Sequence, residues 1–424
     1  MFQHLERPKT IEETGLALNF LIGLSSKFFY ERGVLTPEQL GSALKLPKLV
    51  CRQIIDEMNK TSMLESQGLE SSDIRSDIRY SLTDAGRKLA LESMQVSQYL
   101  GPAPVSLDAF SAQVRRQSIS HEEVHHNDLT KALSHLVLPK GMMAQLGPAA
   151  NSGRSVLLYG EAGNGKTSIA EALGKSFHQT IAMPYAVVVG SQVIRFFDET
   201  LHEVTELDEG EPLIDNRWVP CKRPVVIAGG ELTLSMLDLQ FEPTSRFYEA
   251  PIHLKAIGGV FVLDDFGRQT ATPQEFLNRW IVPLEKGFDI MSLHTGQKFT
   301  LPFDQLVVFS SNMWPEELGD DAALRRIYFK IFVPSPSDED YLQIFEDACA
   351  DYPIEWNRDV VANFFAREYK QAGIVTSGAH PRFLLGHIVS ICRYLQHSPQ
   401  LSDELLSIAW KNVAKSRKRA TASN

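Results

Sequence analysis

The sequence predicts an α/β fold: a parallel sheet with helices packed on its faces, extended by helical pieces toward both ends of the chain. Three observations carry this expectation. Short apolar runs at Val156–Tyr159, Val260–Leu263 and 307–309 read as strands buried on both faces. The first run passes through a glycine-rich loop into a helical stretch, the order of a parallel strand–loop–helix unit. The 424 residues are 43% hydrophobic and 22% charged, which supports a sizeable core in two or three domains at roughly 150 residues each. The expected layout is an N-terminal domain over 1–100, a linker over 101–124, an α/β core over 125–334 and a helical lid over 335–424.

From the N-terminus, residues 11–32 place Leu16, Phe20, Ile22, Phe28 and Phe29 at helical spacing. Thr36-Pro37-Glu38 is a helix start, with a capping Thr and Pro at the first helical position. The next helix follows Leu46-Pro47 through Val50, Ile54, Ile55 and Met58. Leu64-Glu65, a polar Ser/Asp loop and Arg79-Tyr80-Ser81-Leu82 read as a short ribbon, and Thr83-Asp84-Ala85-Gly86 opens a further helix to Met94. Over residues 30–95 this succession resembles a winged helix-turn-helix domain, which implies a module that docks DNA or protein. Its second helix mixes Lys48, Arg52 and Lys60 with Asp56 and Glu57, so the recognition face is not plainly basic. Residues 101–124 have the Pro, Gly and Ser content of a linker, and the basic tail from Lys411 reads as a solvated, frayed end.

The formal net charge of -10 excludes a general polyanion binder, so contact with nucleic acid needs a local basic patch. Cys51, Cys221, Cys349 and Cys392 are scattered without CxxC or metal-ligand spacing, as reduced structural thiols are. The first residues lack the basic and apolar regions of a signal peptide. The most apolar early stretch, 15–30, contains Asn19, Ser25, Ser26 and Lys27, too polar to cross a bilayer. The expectation is a cytoplasmic chain with no membrane insertion.

The chemistry concentrates after residue 155. Gly160, Glu161, Ala162, Gly163, Asn164, Gly165, Lys166 and Thr167 match G-x-x-x-x-G-K-[ST] between a strand and a helix that opens at Ser168. Glycines let successive backbone N–H groups face phosphate oxygens at the positive end of a helix. In that arrangement Lys166 reaches the β- and γ-phosphates, and the Thr167 hydroxyl ligates Mg²⁺. The run to Leu263 closes on Asp264 and Asp265, carboxylates at the carboxyl end of a buried strand, where open α/β sheets bind ligands. Asp264 suits a Mg²⁺ held through water, and Asp265 suits orienting the attacking water. The run to Ser311 closes on Asn312, a polar side chain that alone would be a loop cap. Arg325 and Arg326 end a short helix, and Arg382 sits in the first turn of another; each alone would be a surface charge.

In this order the motifs resemble the AAA+ ATPases, over about residues 125–400. Gly160 to Thr167 resembles Walker A, Asp264-Asp265 resembles Walker B, and Asn312 resembles sensor 1. Arg325 and Arg326 resemble arginine fingers, and Arg382 resembles sensor 2. The resemblance implies ATP and Mg²⁺ as cofactors and ATP hydrolysis as the activity. It also implies that Asn312 helps place the hydrolytic water, that Arg382 senses the γ-phosphate, and that a finger serves the neighbouring subunit of a homo-oligomer, usually a hexameric ring. The family commonly has Glu after the metal-binding Asp; Asp265 is one methylene shorter.

Tyr185 to Val189 reads as the second strand, 192–204 as a helix, 218–231 as a hairpin or loop insert, and 288–303 as a hairpin turning at Thr295-Gly296-Gln297. Inserts at these places resemble the helix-2-insert branch that includes MoxR-like ATPases and sigma-54 activators. The GAFTGA loop of the latter is missing. Residues 241–248 (FEPTSRFY) offer aromatics that either grip a polypeptide in a ring pore or pack in the core. The resemblance implies a ring that remodels a protein partner through ATP hydrolysis. The alternative is an ATP-switched regulator that assembles on DNA through its N-terminal domain.

Overall fold

The computed structural model describes residues 2, 4–69, 77–206 and 214–413. The chain divides into two compact units: one takes in 1–123, 177–261 and 275–306, the other 124–176, 262–274 and 307–424.

In the first unit, helices cover Leu18–Arg32, Pro37–Leu44 and Lys48–Lys60. Thr36 and Gln39 form a reciprocal capping box at the second of these, as the Thr-Pro-Glu start leads one to expect. Strands Leu64–Leu69 and Ile78–Leu82 pair antiparallel, Leu35 bridges to Tyr80, and a helix over Asp84–Val96 follows its Thr83 cap. Leu21, Leu24, Phe29, Leu40, Leu44, Ile54 and Met58 fill the centre. The first helix begins at Leu18 rather than near residue 11, because a lone 3-10 turn at Glu12–Thr14 ends on Gly15 with φ +69°. Most of the polar loop after Leu64-Glu65 (70–76) and the tail beyond Val413 lie outside the described residues.

The stretch expected as a linker, 101–124, is ordered. Val105 pairs with Val187, the Ser106 hydroxyl caps a helix over Leu107–Arg116, and Phe110, Gln113 and Val114 are buried. Ser106 and Ser118 cap helical turns, and Pro104 stands directly before the strand residue Val105. Tyr185 to Val189 does not supply the second strand of the main sheet. Ala186–Val189 pairs antiparallel with Gln192–Arg195 across a turn at Gly190 (φ +62°), inside a separate sheet with Val105–Ser106, Tyr248–Glu249 and Gln240–Phe241. The helix expected over 192–204 is therefore absent; Val193 and Ile194 are β-branched and both buried. Residues 218–231 split: Trp218–Lys222 pairs antiparallel with Thr180–Pro184, and Val225–Ala228 joins the main sheet. Phe288–Ser292 and Lys298–Pro302 form the expected hairpin, with Gly296 at φ +84° in its turn. The aromatics of 241–248 pack inward. Tyr248 is 1% exposed, Phe241 stacks on His294 at 4.1 Å, and Phe247 meets Tyr99 edge-on at 5.6 Å.

The main sheet has five strands: β1 Val156–Tyr159, β2 Val225–Ala228, β3 Val260–Leu263, β4 Leu306–Ser311 and β5 Phe329–Phe332. Their order is β5-β1-β4-β3-β2, and β1 pairs in parallel with both β4 and β5. Every residue of β3 and β4 is buried, which is why these runs are continuously apolar rather than alternating. In the second unit, helix α1 covers Lys166–Lys175 and four helices follow the sheet, Asp338–Cys349, Arg358–Phe365, α2 over His380–Leu395, and Asp403–Val413. Tyr341, Phe345, Phe364, Tyr369, Leu384, Ile388 and Trp410 form their core. The Tyr341 and Tyr369 hydroxyls hydrogen-bond at 2.9 Å, and the latter reaches His380 Nδ1 at 2.9 Å.

Candidate active site

All the sequence-predicted site residues lie in the second unit. Strand β1 ends at Tyr159, and the glycine loop turns back on itself before α1 begins. Gly160, Gly163 and Gly165 take φ of +143°, +82° and +80°, conformations L side chains rarely adopt. At Gly160 a Cβ would lie 2.3 Å from the Val333 carbonyl oxygen, so this glycine also permits the close approach of the chain after β5.

Lys166 opens α1 and is 6% exposed. Its ammonium donates to the carbonyls of Gly160 and Glu161 at 2.9 Å each and to Asn312 Oδ1 at 2.7 Å, using all three of its protons. Burial lowers its pKa, and the nearby carboxylates of Asp264, Asp265 and Glu161 oppose that shift. Thr167 donates to Asp264 Oδ1 at 2.8 Å. Asn312 in turn donates from Nδ2 to Asp265 Oδ1 at 3.1 Å. The chemistry of its neighbours sets the orientation of this amide, since an ammonium only donates and a carboxylate only accepts.

Strand order explains the convergence. Strand β4 lies between β1 and β3, so the Asn312 that follows it falls between the Lys166 that follows β1 and the Asp265 that follows β3. Asp264 is half-buried and Asp265 exposed. Asp265 has a backbone φ of +48°. A hydroxyl beside a carboxylate is a hard-oxygen set suited to Mg²⁺, which keeps several waters and takes few protein ligands. Among the described residues there is no group of three or more His, Cys, Asp or Glu that could hold a metal ion.

Beside the loop is a cleft of about 510 Å³. Gly163, Asn164, Gly165, Ser168 and Ile169 form one wall, and His135, Leu136, Val137 and Leu138 another. Ile344, Asp347, Ala348, Gly378, Ala379 and Arg382 complete it. Its volume suits a small organic ligand, and its mix of apolar side chains with a few polar groups suits a nucleoside. The segment 135–138 and the helix bearing Ile344 carry no motif, and the sequence reading missed them. The loop at Ser377 touches the glycine loop, where a Cβ on Gly163 would lie 2.5 Å from Ser377 Oγ. Asn164 Oδ1 accepts from Gly378 N at 3.4 Å.

The three arginines divide. Arg382 lines the cleft and pairs with Asp351 at 2.9 Å, an exposed pair of small energetic weight. Arg326 is half-buried and donates to the Ala322 carbonyl, while its own carbonyl accepts from Ser155 Oγ at 2.8 Å. Arg325 caps the short helix Asp321–Leu324, is exposed, and makes no side-chain hydrogen bond or ion pair among the described residues. The four cysteines are free and buried, with the thiols of Cys51 and Cys221 pushed up to about 12. Among the described residues no helix is long and apolar enough to cross a membrane.

A family model described as a domain of unknown function (DUF8689) matches residues 337–412, the stretch of the four helices that follow the main sheet. No curated protein matches the chain. Among solved structures, it is similar to the RuvB Holliday junction branch migration motor of Thermotoga maritima at 12% identity. That match covers 70% of this chain and 72% of the other, with a TM-score of 0.35. It is also similar to NtrX of Brucella abortus in complex with ATP, at 13% identity over 69% of this chain and 60% of that one, with a TM-score of 0.41.

Proposed function

We propose that this chain is an AAA+ type ATPase that binds ATP in the loop of Gly160 to Thr167 and hydrolyses it. The observation that carries the reading is the hydrogen-bonded line from Lys166 through Asn312 to Asp265, set beside the Thr167–Asp264 pair at the ends of β1, β4 and β3. Phosphoryl transfer needs few covalent roles from a protein; it needs positioning and charge stabilisation. Lys166 supplies a partly desolvated ammonium for the β- and γ-phosphates. Its bonds to the Gly160 and Glu161 carbonyls and to Asn312 must be exchanged for phosphate oxygens when nucleotide enters.

Thr167 and Asp264 would hold Mg²⁺, which when bound neutralises charge on the phosphate oxygens. Asp265, the acid open to solvent, accepts a proton from and orients the attacking water, and the Asn312 amide fixes its carboxylate. Ser168 and the backbone of Glu161, Ala162, Gly163, Asn164 and Gly165 line the phosphate path. The nucleoside occupies the cleft between His135–Leu138 residues and the lid, with Arg382 exchanging Asp351 for the γ-phosphate.

Arg325 is the better candidate for a finger acting in a neighbouring subunit, because Arg326 is engaged within its own chain. That makes a closed homo-oligomer, with a hexameric ring as the expected form, and remodelling of a protein partner as the expected work. The winged-helix-like segment favours docking of a protein over DNA. On its second helix Lys48 pairs with Asp77 at 2.6 Å and Glu38 at 3.2 Å, and Arg52 pairs with Asp77 at 2.9 Å. A phosphate backbone would have to displace these acids. The inward packing of Phe241, Phe247 and Tyr248 gives no support to a pore grip at 241–248.

Nucleotide binding tests the first step. Wild type should bind ATP more tightly with Mg²⁺ than without, Thr167→Ala should lose that increment, and Lys166→Ala should lose affinity altogether. Equal binding by Lys166→Ala would refute the assignment.

A further inference from the structure

We propose that Gln269 and Ser311 are positioning residues for Asp265, holding the backbone around it in the left-handed conformation that aims its carboxylate. The inference rests on the reading of Asp265 as the residue that orients water. The residues on either side of Asp265 are clamped by buried polar side chains. Before it, Gln269 Nε2 donates to the Asp264 carbonyl at 3.1 Å, while Gln269 Oε1 accepts from Gly267 N at 2.9 Å. Gln269 is 8% exposed. After it, the fully buried Ser311 hydroxyl donates to the Phe266 carbonyl at 2.6 Å and accepts from Met313 N at 3.1 Å.

Phe266 N donates to the Ser310 carbonyl at 2.7 Å, and its ring packs on Phe309 at 4.9 Å. Asp265 itself closes the turn, its carbonyl accepting from Arg268 N at 2.9 Å. Between these clamps Asp265 has φ +48° with an exposed side chain. Such a backbone persists only where its surroundings over-determine it. It also suits the residue type: Asp and Asn enter the left-handed region several-fold more readily than other side chains.

The test measures kcat, KM, ATP affinity and thermal midpoint of the full chain for Gln269→Met and Ser311→Ala, each alone and combined with Asp265→Asn. Gln269→Met should lower kcat roughly 10- to 100-fold, the penalty of a misplaced group, with KM and ATP affinity unchanged. It should add no loss on the Asp265→Asn background. Ser311→Ala, which removes one hydroxyl, should reproduce the pattern if Gln269→Met fails to fold. Unchanged kcat, or an equal fractional loss on the Asp265→Asn background, would overturn the proposal. If Asp265→Asn turns over ATP like wild type, the underlying reading of Asp265 falls first and the proposal with it, a result distinct from failure of the brace alone.

Discussion

Replacing Arg325 with alanine is expected to remove turnover without touching the fold. Arg325 is exposed and makes no side-chain hydrogen bond or ion pair among the described residues, so its loss should change stability by no more than about 0.5 kcal/mol. An arginine finger supplied in trans is worth roughly 10³–10⁵ in rate, or about 4–7 kcal/mol at the barrier. Arg326→Ala is expected to behave the other way, losing the bond to the Ala322 carbonyl and about 1 kcal/mol of stability with a smaller effect on rate. Mixing separates a trans role from a local one. Arg325→Ala subunits keep an intact phosphate loop, and Lys166→Ala subunits keep an intact finger, so each supplies what the other lacks. In a randomly mixed ring of equal parts, about a quarter of the sites pair a sound loop with a sound finger. Phosphate release should therefore recover to about a quarter of the wild-type rate per subunit, from two variants that are each inactive. No recovery on mixing, or full activity in Arg325→Ala alone, would refute the assignment.

Two further outcomes follow from single residues. Gly163→Ala places a Cβ 2.5 Å from Ser377 Oγ at φ +82°, so ATP affinity should fall while the separate N-terminal helices keep their midpoint; titration with a fluorescent ATP analogue checks it. Lys27 is buried, donates to the Ser97 and Tyr99 carbonyls, and burial pushes it down to about 8. Between pH 8 and the ordinary lysine value the unfolded chain holds this proton and the folded chain does not, so stability of the first unit should rise with pH across that window. Urea unfolding of wild type at pH 7.5 and 9.5 should show that gain, and Lys27→Met should lack it.

How far the site could be read from sequence depended on how local its determinants are. The glycine loop, the Asp264-Asp265 pair and Asn312 each end an apolar run, so strand, terminus and side chain are contiguous and their type states their chemistry. The cleft walls at 135–138 and Ile344 were not legible, because ordinary apolar residues become a pocket only when distant segments meet. Sheet membership failed for the same reason. Tyr185 to Val189 is as β-branched as β2, and only its pairing, antiparallel with the nearby Gln192–Arg195 and parallel with the distant Val105–Ser106, assigns it to the separate sheet. The stretch over 101–124 misled because Ser and Pro mark caps as readily as linkers, and Ser106 is a cap. The left-handed backbone at Asp265 was not legible either: Gln269 is near in sequence but matches no motif, and the second clamp comes from Ser311 on another strand.

The central claim is that Asp265 and its hydrogen-bonded partners hydrolyse ATP. The most direct measurement is phosphate release from ATP with Mg²⁺ by the full chain, compared with Asp265→Asn. Wild type should turn over, and the variant should bind ATP with similar affinity yet release phosphate roughly 10²–10⁴-fold more slowly, the range expected for losing a positioned acid–base group. Equal rates in the two proteins, or tight ATP binding with no phosphate release at any protein concentration, would contradict the account.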